Sequence, residues 1–256
     1  MAGLPHVKPL ARLGVYLTDF LFPPRCAGCA RAGSVFCDRC AQAVLPISGP
    51  ICAHCGRPQP RDVGICFACQ SGGREVFHLV RPATLYTHPL RSAIHGLKYA
   101  GQPELAELLA RYLVAVAQQP LWQDVLPRID WMLPVPLHPQ RLAERGYNQS
   151  GLLAASAAKR LGLAYTDSLL LRSRQTRSQV GLSASERQQN VADAFVAGAG
   201  VADKCVLLVD DVLTTGATLT ACAQALRLAG AVAVYGLVLS TPAPTTDGVL
   251  GDAPPS

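Results

Sequence analysis

Hydrophobic and polar positions change their rhythm twice along this chain. Over residues 1–22, Leu10, Leu13, Leu17 and Phe20/Leu21 recur at helical spacing, predicting a short N-terminal amphipathic helix. Over residues 23–75 no period persists, and Pro23, Pro24, Pro46, Pro50, Pro58 and Pro60 mark loop-rich structure. After Gly72-Gly73, apolar strand-like runs alternate with helical patterns. The pattern predicts strands at Val80–Tyr86, Trp131–Val135, Cys205–Val209 and Ala231–Leu239. It predicts helices at Leu90–Tyr99, Glu104–Val116, Asn148–Leu161 and Ala217–Leu228, with strand-like residues at Leu169–Leu171 and Ala194–Val196. Strands and helices in alternation imply an α/β domain over residues 79–241, with a mostly parallel sheet and helices on both faces. Residues 242–256, rich in Pro, Gly, Thr and Asp, read as a disordered tail.

The most continuous apolar run, Cys205–Val209, is the pattern of a strand buried on both faces. Asp210 and Asp211 follow it, then Thr214, Thr215, Gly216, Ala217 and Thr218 at the start of a helix. Ligands of open α/β sheets bind at this end of a strand. Gly216 allows backbone close to a phosphate, the threonine hydroxyls add donors, and the helix N-terminus supplies N–H groups with a favourable dipole. Asp210 and Asp211 repel phosphate but suit vicinal sugar hydroxyls, directly or through Mg2+. One segment therefore offers an anion cradle beside a diol clamp, which matches a ribose 5-phosphate. An ordinary capped turn needs one threonine rather than three. No Gly-Lys-Thr/Ser follows, which excludes a Walker loop.

Eight of the ten cysteines form four Cys-x2-Cys pairs: Cys26/Cys29, Cys37/Cys40, Cys52/Cys55 and Cys66/Cys69. Repeated pairs predict two structural four-cysteine sites for Zn2+, whereas a redox Cys-x2-Cys comes singly beside a βαβ unit. Sequential pairing is favoured over a cross-brace. His54, inside a knuckle, reads as a bystander, and Cys205 and Cys222 as core thiols. The ribbon carries Arg25, Arg31, Arg39, Arg57, Arg61 and Arg74, with Phe36 and Phe67 its only aromatic residues. Nucleic-acid contact and rigid docking are both open for it.

The formal net charge is +6, but thiolates bound to two Zn2+ would lower it to about +2. Global charge therefore says little, while the segment from Arg141 to Asn190 is locally basic. No apolar run approaches the ~18–20 residues that cross a bilayer. Lys8, Arg12 and Asp19 interrupt the N-terminal apolar stretch, and no small-residue cleavage site follows it. A cytoplasmic protein without a membrane span is the expectation.

The run from Val206 to Thr218 resembles the phosphoribosyl pyrophosphate (PRPP) motif of type I phosphoribosyltransferases. The resemblance extends to His95-Gly96-Leu97-Lys98-Tyr99-Ala100-Gly101, to Pro134–Pro139, to Glu144-Arg145-Gly146-Tyr147-Asn148-Gln149 with Arg141, and to Ser185–Val191. Together these resemble the ComF family (ComFC/GntX-like), in which a double zinc ribbon precedes a type I phosphoribosyltransferase fold. The resemblance covers nearly the whole chain. It implies that Asp210 and Asp211 are the catalytic carboxylates holding ribose and that residues 214–218 hold the 5-phosphate. It makes Arg141, Arg145 and Asn148 candidates for the pyrophosphate, against a solvated helical face for the two arginines. Arg174, Arg177 and Arg187 become candidates on a mobile hood loop, against a basic loop with no part in catalysis. Lys98 could reach a phosphate, although a surface lysine is the commoner reading.

Three functions compete. The first is Mg2+-dependent transfer of phosphoribose from PRPP to a nitrogen acceptor. The second is a competence factor that binds single-stranded DNA or DNA-uptake proteins and does not turn PRPP over. The third is a structural adaptor on a retired fold, which the intact Asp210–Thr218 run disfavours. Nothing supports a sugar-acid site.

Overall fold

The computed structural model describes residues 23–71, 76–173 and 194–244. The expected N-terminal helix, Arg174, Arg177 and Arg187, and nearly all of the expected tail lie outside the described residues. Four strands form a parallel sheet in the order β1-β6-β5-β2: β1 (Leu79–Leu85), β2 (Trp131–Pro134), β5 (Cys205–Val212) and β6 (Ala233–Thr241). Alternation along β5 sends Leu207 and Val209 to one face and Val206 and Leu208 to the other. The first face is covered by α3 (Leu90–Tyr99), α4 (Leu105–Ala117) and α6 (Gln149–Leu161). The second is covered by α7 (Ala217–Leu228) and by an antiparallel pair, β3 (Leu170–Arg172) with β4 (Phe195–Ala197). Covering both faces is why these strands read as continuous apolar runs.

Two differences from the sequence reading bear on the site. Strand β5 continues through Asp210 and Asp211, which lie within the ladder: Asp210 is in register with Val238 and Val212 with Ser240. Strand β6 ends two residues later than its apolar pattern, so Ser240 and Thr241 are buried strand residues. Between β2 and α6 a short helix α5 (Pro139–Arg145) forms, started by Pro139 after the His138 cap and closed by Gly146.

Each half of the ribbon repeats one construction. A Cys-x2-Cys knuckle is followed by a short helix, α1 (Asp38–Gln42) or α2 (Phe67–Gln70), capped by Cys37 or Cys66. The x2 spacing then brings Cys40 or Cys69 onto the same side of the first turn. Cys26, Cys29, Cys37 and Cys40 gather in one cluster and Cys52, Cys55, Cys66 and Cys69 in another, with ligand atoms within 4.8 Å of one another in each. The pairing is therefore sequential.

The ribbon is built onto the sheet's outer edge and is not held out as an arm. Leu85 N–H donates to the Leu45 carbonyl at 2.9 Å and Val80 N–H to the His54 carbonyl at 3.0 Å, so ribbon backbone protects the edge of β1. Cys26, Phe36, Cys40 and Val44 share one core with α3 and α4. The Tyr112 hydroxyl donates to the Ala41 carbonyl at 2.9 Å. Only glycine fits at position 28, since a Cβ there would lie 2.7 Å from Cys40 Sγ and 2.8 Å from Pro89 Cβ.

Candidate functional site

At the carboxyl end of the sheet, the backbone beyond Asp211 turns sharply into α7. Two residues of β6 hold that turn: Ser240 Oγ donates to the Asp211 carbonyl at 3.2 Å, and Thr241 Oγ1 to the Leu213 carbonyl at 2.9 Å. Gly216 is the N-cap of α7 at φ 80°, a left-handed conformation that a side chain would strain. The cap has no side chain to spend on the helix, so the positive end of α7 is presented through Thr214–Thr218, all half-buried. Thr215 Oγ1 accepts from Ala217 N–H at 3.3 Å, ordering the loop from within.

The two carboxylates have different surroundings. Asp211 is 4% exposed, and its Oδ2 lies 2.9 Å from Lys98 Nζ. Asp210 Oδ1 accepts from Ser150 Oγ at 3.0 Å and from Asp211 N–H at 2.9 Å. Burial, reinforced by the Asp211 charge, raises the Asp210 carboxyl to about 7; Lys98, the Asp211 N–H and Ser150 pull it back only in part. For Lys98, burial works against the charge, but the Asp211 charge and hydrogen bond, with the Asp210 charge added, together outweigh it and hold the amine above the ordinary lysine value. Lys98 is thus an ion-paired site residue, correcting its reading as a surface lysine. Its place in the His95–Gly101 motif was the signal for it.

Strand β2 runs beside β5 with Pro134 opposite Val209, which brings the segment from Pro134 to Asn148 to the same sheet end as the carboxylates. Asn148 caps α6: its Oδ1 accepts from Ser150 N–H at 3.1 Å, and its Nδ2 donates to the Val135 carbonyl at 3.0 Å. Its side chain therefore ties loop to helix. Arg145 donates to Gln149 Oε1 and lies over the Tyr99 ring, 5.2 Å from its centroid. No ion pair among the described residues involves Arg145, so neutral groups hold its guanidinium in place. Arg141 is exposed on α5. Arg172, at the root of the expected hood, lies over the Phe195 ring and senses the charges of Asp210 and Arg141. Sequence reasoning gave no role to Ser150, Tyr147, Tyr99 or Arg172. Tyr99 and Tyr147 stand in the quoted motifs, whereas nothing about Ser150 in the sequence marks it.

The cysteine clusters carry the groups that a tetrahedral zinc thiolate site requires. Backbone N–H groups point at sulfur: Cys37 N–H at Cys26 Sγ (3.3 Å), and Cys55 and Cys66 N–H at Cys52 Sγ (3.5 and 3.3 Å). Burial opposes the Cys26 thiolate, but the backbone N–H groups of Cys37, Cys29 and Gly28 bring it down to about 6. Arg81, 8% exposed, donates to the Ala53 and Val80 carbonyls at 2.8 Å each; burial lowers its guanidinium, and the Cys52 and Cys55 charges offset that in part. Arg57 is 3% exposed and so is no surface charge, contrary to its counting with the ribbon's basic residues. His54 Nε2 contacts the Phe77 carbonyl at 2.9 Å and stands aside from both clusters.

Comparison with known proteins agrees with both halves. Residues 17–70 match the double zinc ribbon domain and residues 148–241 the phosphoribosyl transferase domain. The chain is 35% identical over 198 residues to the DNA utilization protein YhgH of Salmonella typhi, covering 77% of this chain and 86% of that protein. It is 31% identical over 206 residues to competence protein F of Haemophilus influenzae (78% and 89%). It is 29% identical over 212 residues to competence protein ComFC of Streptococcus pneumoniae (80% and 88%). With a double zinc ribbon on the edge of a phosphoribosyltransferase sheet, and relatives matched over most of their length, the chain belongs to the ComF family.

Proposed function

We propose that the chain binds PRPP across the carboxyl ends of β5 and β2 and transfers its phosphoribosyl group to a nitrogen acceptor. The observation that carries this reading is the Ser150–Asp210 hydrogen bond, which joins the segment carrying Arg145 and Asn148 to the segment from Asp210 to Thr218. On one side the α7 N-terminus and Thr214–Thr218 receive the 5-phosphate. On the other, Arg145, held by a ring and an amide, receives the pyrophosphate with its fork, with Arg141 exposed beside it. Asp210 and Asp211 take the ribose hydroxyls. Asn148 serves as the clip that holds the pyrophosphate loop against α6.

In the reaction a bond forms between the acceptor nitrogen and C1 of the ribose, while the bond from C1 to the pyrophosphate oxygen breaks. When bound with the ligand, Mg2+ would supply neutralisation of the charge that develops on the leaving group. The hard carboxylate oxygens suit that ion, but Asp211 Oδ2 is already taken by Lys98, which favours an ion arriving with the ligand. The test is thermal protection by PRPP with and without Mg2+, since a ligand bound only by the native state raises the melting temperature. Pyrophosphate release with a panel of bases and amines then separates an enzyme from a sensor. Absence of any PRPP-induced shift at saturating concentration would refute the reading.

A second reading has its own observation. His95, Tyr99 and Arg145 form a row leading to the site, with the two rings 4.9 Å apart and the guanidinium over Tyr99; His95 and Tyr99 are exposed. Aromatic rings beside arginine suit a single-stranded nucleic acid, each stacked base contributing about 1–3 kcal/mol. The relatives named for DNA utilization and competence fit that reading. Salt-dependent binding of single-stranded DNA, weakened by Tyr99→Ala, tests it.

A further inference from the structure

We propose that Lys98 is the resident counter-cation of the Asp210–Asp211 pair, a positioning residue that lets the protein bind ribose 5-phosphate without a divalent cation. The inference rests on the ribose-phosphate reading of this site and names what makes that site self-sufficient. Two adjacent carboxylates stand beside a loop built to receive a phosphate dianion. The N-terminus of α7 offsets only about half a unit charge. A bound divalent ion is one remedy for the remainder, and this chain carries another within its own sequence.

The geometry is that of a fixed cation. Lys98 Nζ is 2.9 Å from Asp211 Oδ2, with side chains 21% and 6% exposed, so solvent screens the pair poorly. Both neighbours of Lys98 are gripped by the segment expected to hold pyrophosphate. The Leu97 carbonyl accepts from the Tyr147 hydroxyl at 2.7 Å, and the Tyr99 ring lies under Arg145. Tyr147 immediately precedes Asn148, which is clipped to the Val135 carbonyl. The last turn of α3 therefore touches the carboxylates through Lys98 and the other half of the site through Leu97 and Tyr99. Asp211 sits in β5 between Asp210 and Val212, which both pair with β6, and its carbonyl accepts from Ser240 Oγ. The backbone that carries each partner is therefore fixed, which keeps the ammonium within reach of the carboxylate.

Ribose 5-phosphate lacks the pyrophosphate, so its binding isolates the carboxylate half of the site. Affinity is measured by calorimetry on the full zinc-loaded chain, in buffer freed of divalent ions over chelating resin and then with added Mg2+. The wild-type protein is expected to bind ribose 5-phosphate equally in both buffers. Lys98→Met is expected to lose at least about tenfold without Mg2+, the effect of removing a unit charge a few ångströms away in a partly buried site. Added Mg2+ should restore most of that loss, and Lys98→Arg should prevent it. Should the methionine variant fail to fold, Lys98→Gln, a neutral donor of similar length, carries the same comparison with folding verified by a cooperative thermal transition. Wild-type binding of ribose 5-phosphate only with Mg2+, or unchanged metal-free binding by the neutral variant, overturns the proposal. If PRPP binds in either case, the functional reading survives alone. Failure of the wild-type protein to bind either ligand in any buffer overturns both.

Discussion

Replacing Arg81 by methionine tests whether the zinc ribbon and the sheet are one structure. Arg81 lies in β1 opposite Leu237 and turns its guanidinium into the ribbon. It donates to the Ala53 and Val80 carbonyls at 2.8 Å each and to the His54 carbonyl at 3.3 Å. Hydrogen bonds from a charged donor contribute about 1.5–3 kcal/mol each, so the two short ones amount to roughly 3–6 kcal/mol gross. Relief of the buried guanidinium's desolvation returns part of this, and methionine fills much of the volume. A net loss of about 3 kcal/mol remains, which for a chain of this size lowers the melting temperature by roughly 6–12 °C. The assay is thermal denaturation followed by circular dichroism, with released zinc read by a chromogenic chelator in the same scan. Because cysteines of the first cluster share a core with α3 and α4, unfolding and zinc release from that cluster should coincide. A shift under about 2 °C relative to the wild type, well below that range, or zinc release well before the sheet melts, would refute a ribbon built into the sheet.

Gly216→Val should abolish measurable ribose 5-phosphate binding by calorimetry while costing about 1–2 kcal/mol in stability, because its φ of 80° disfavours a β-branched residue and the side chain enters the phosphate cradle. Asp210, an acid raised from 3.8 to about 7, keeps in the folded state a proton that the unfolded chain has lost. Its contribution to stability therefore falls as pH rises from about 4 to about 7 and levels off above that; urea melts of Asp210→Asn should lack this fall. Mass spectrometry of the native protein should find two zinc ions per chain, matching the two clusters, and Cys55→Ser should retain one. Ser150→Ala should weaken ribose 5-phosphate binding several-fold by leaving Asp210 without its hydroxyl donor, which titration calorimetry reads directly.

Much of this was legible in the chain itself, for physical reasons that differ by element. Strand β5 was plain because a strand buried on both faces must be apolar at every position. Helix α7 was plain because a glycine in a left-handed cap and an amphipathic run mark its start together. The cysteine clusters were plain because thiolate pairs at x2 spacing have few other uses, but their sequential pairing, which spacing left open, was decided by the structure. Ends of strands were less clear: Asp210, Asp211, Ser240 and Thr241 are polar, yet all lie within β5 or β6, since their side chains find partners at the sheet's end.

Local spacing and residue chemistry pointed to a ribose phosphate and to two four-cysteine clusters, and determined the order of strands and helices along the chain. The tertiary structure alone decided which distant residues meet. Lys98 and Asp211 are separated by most of the domain, and no periodicity links them; they meet because α3, packed against α4 in the core on that face of the sheet, brings Lys98 to the end of β5. Ser150 reaches Asp210 only because β2 lies beside β5. The ribbon's place on the edge of β1 was likewise invisible, since it depends on backbone hydrogen bonds and on a glycine small enough to admit Pro89. Contacts of this kind are set by the packing of whole elements against one another, and a linear pattern records an element's own buried face but not the partner that will cover it.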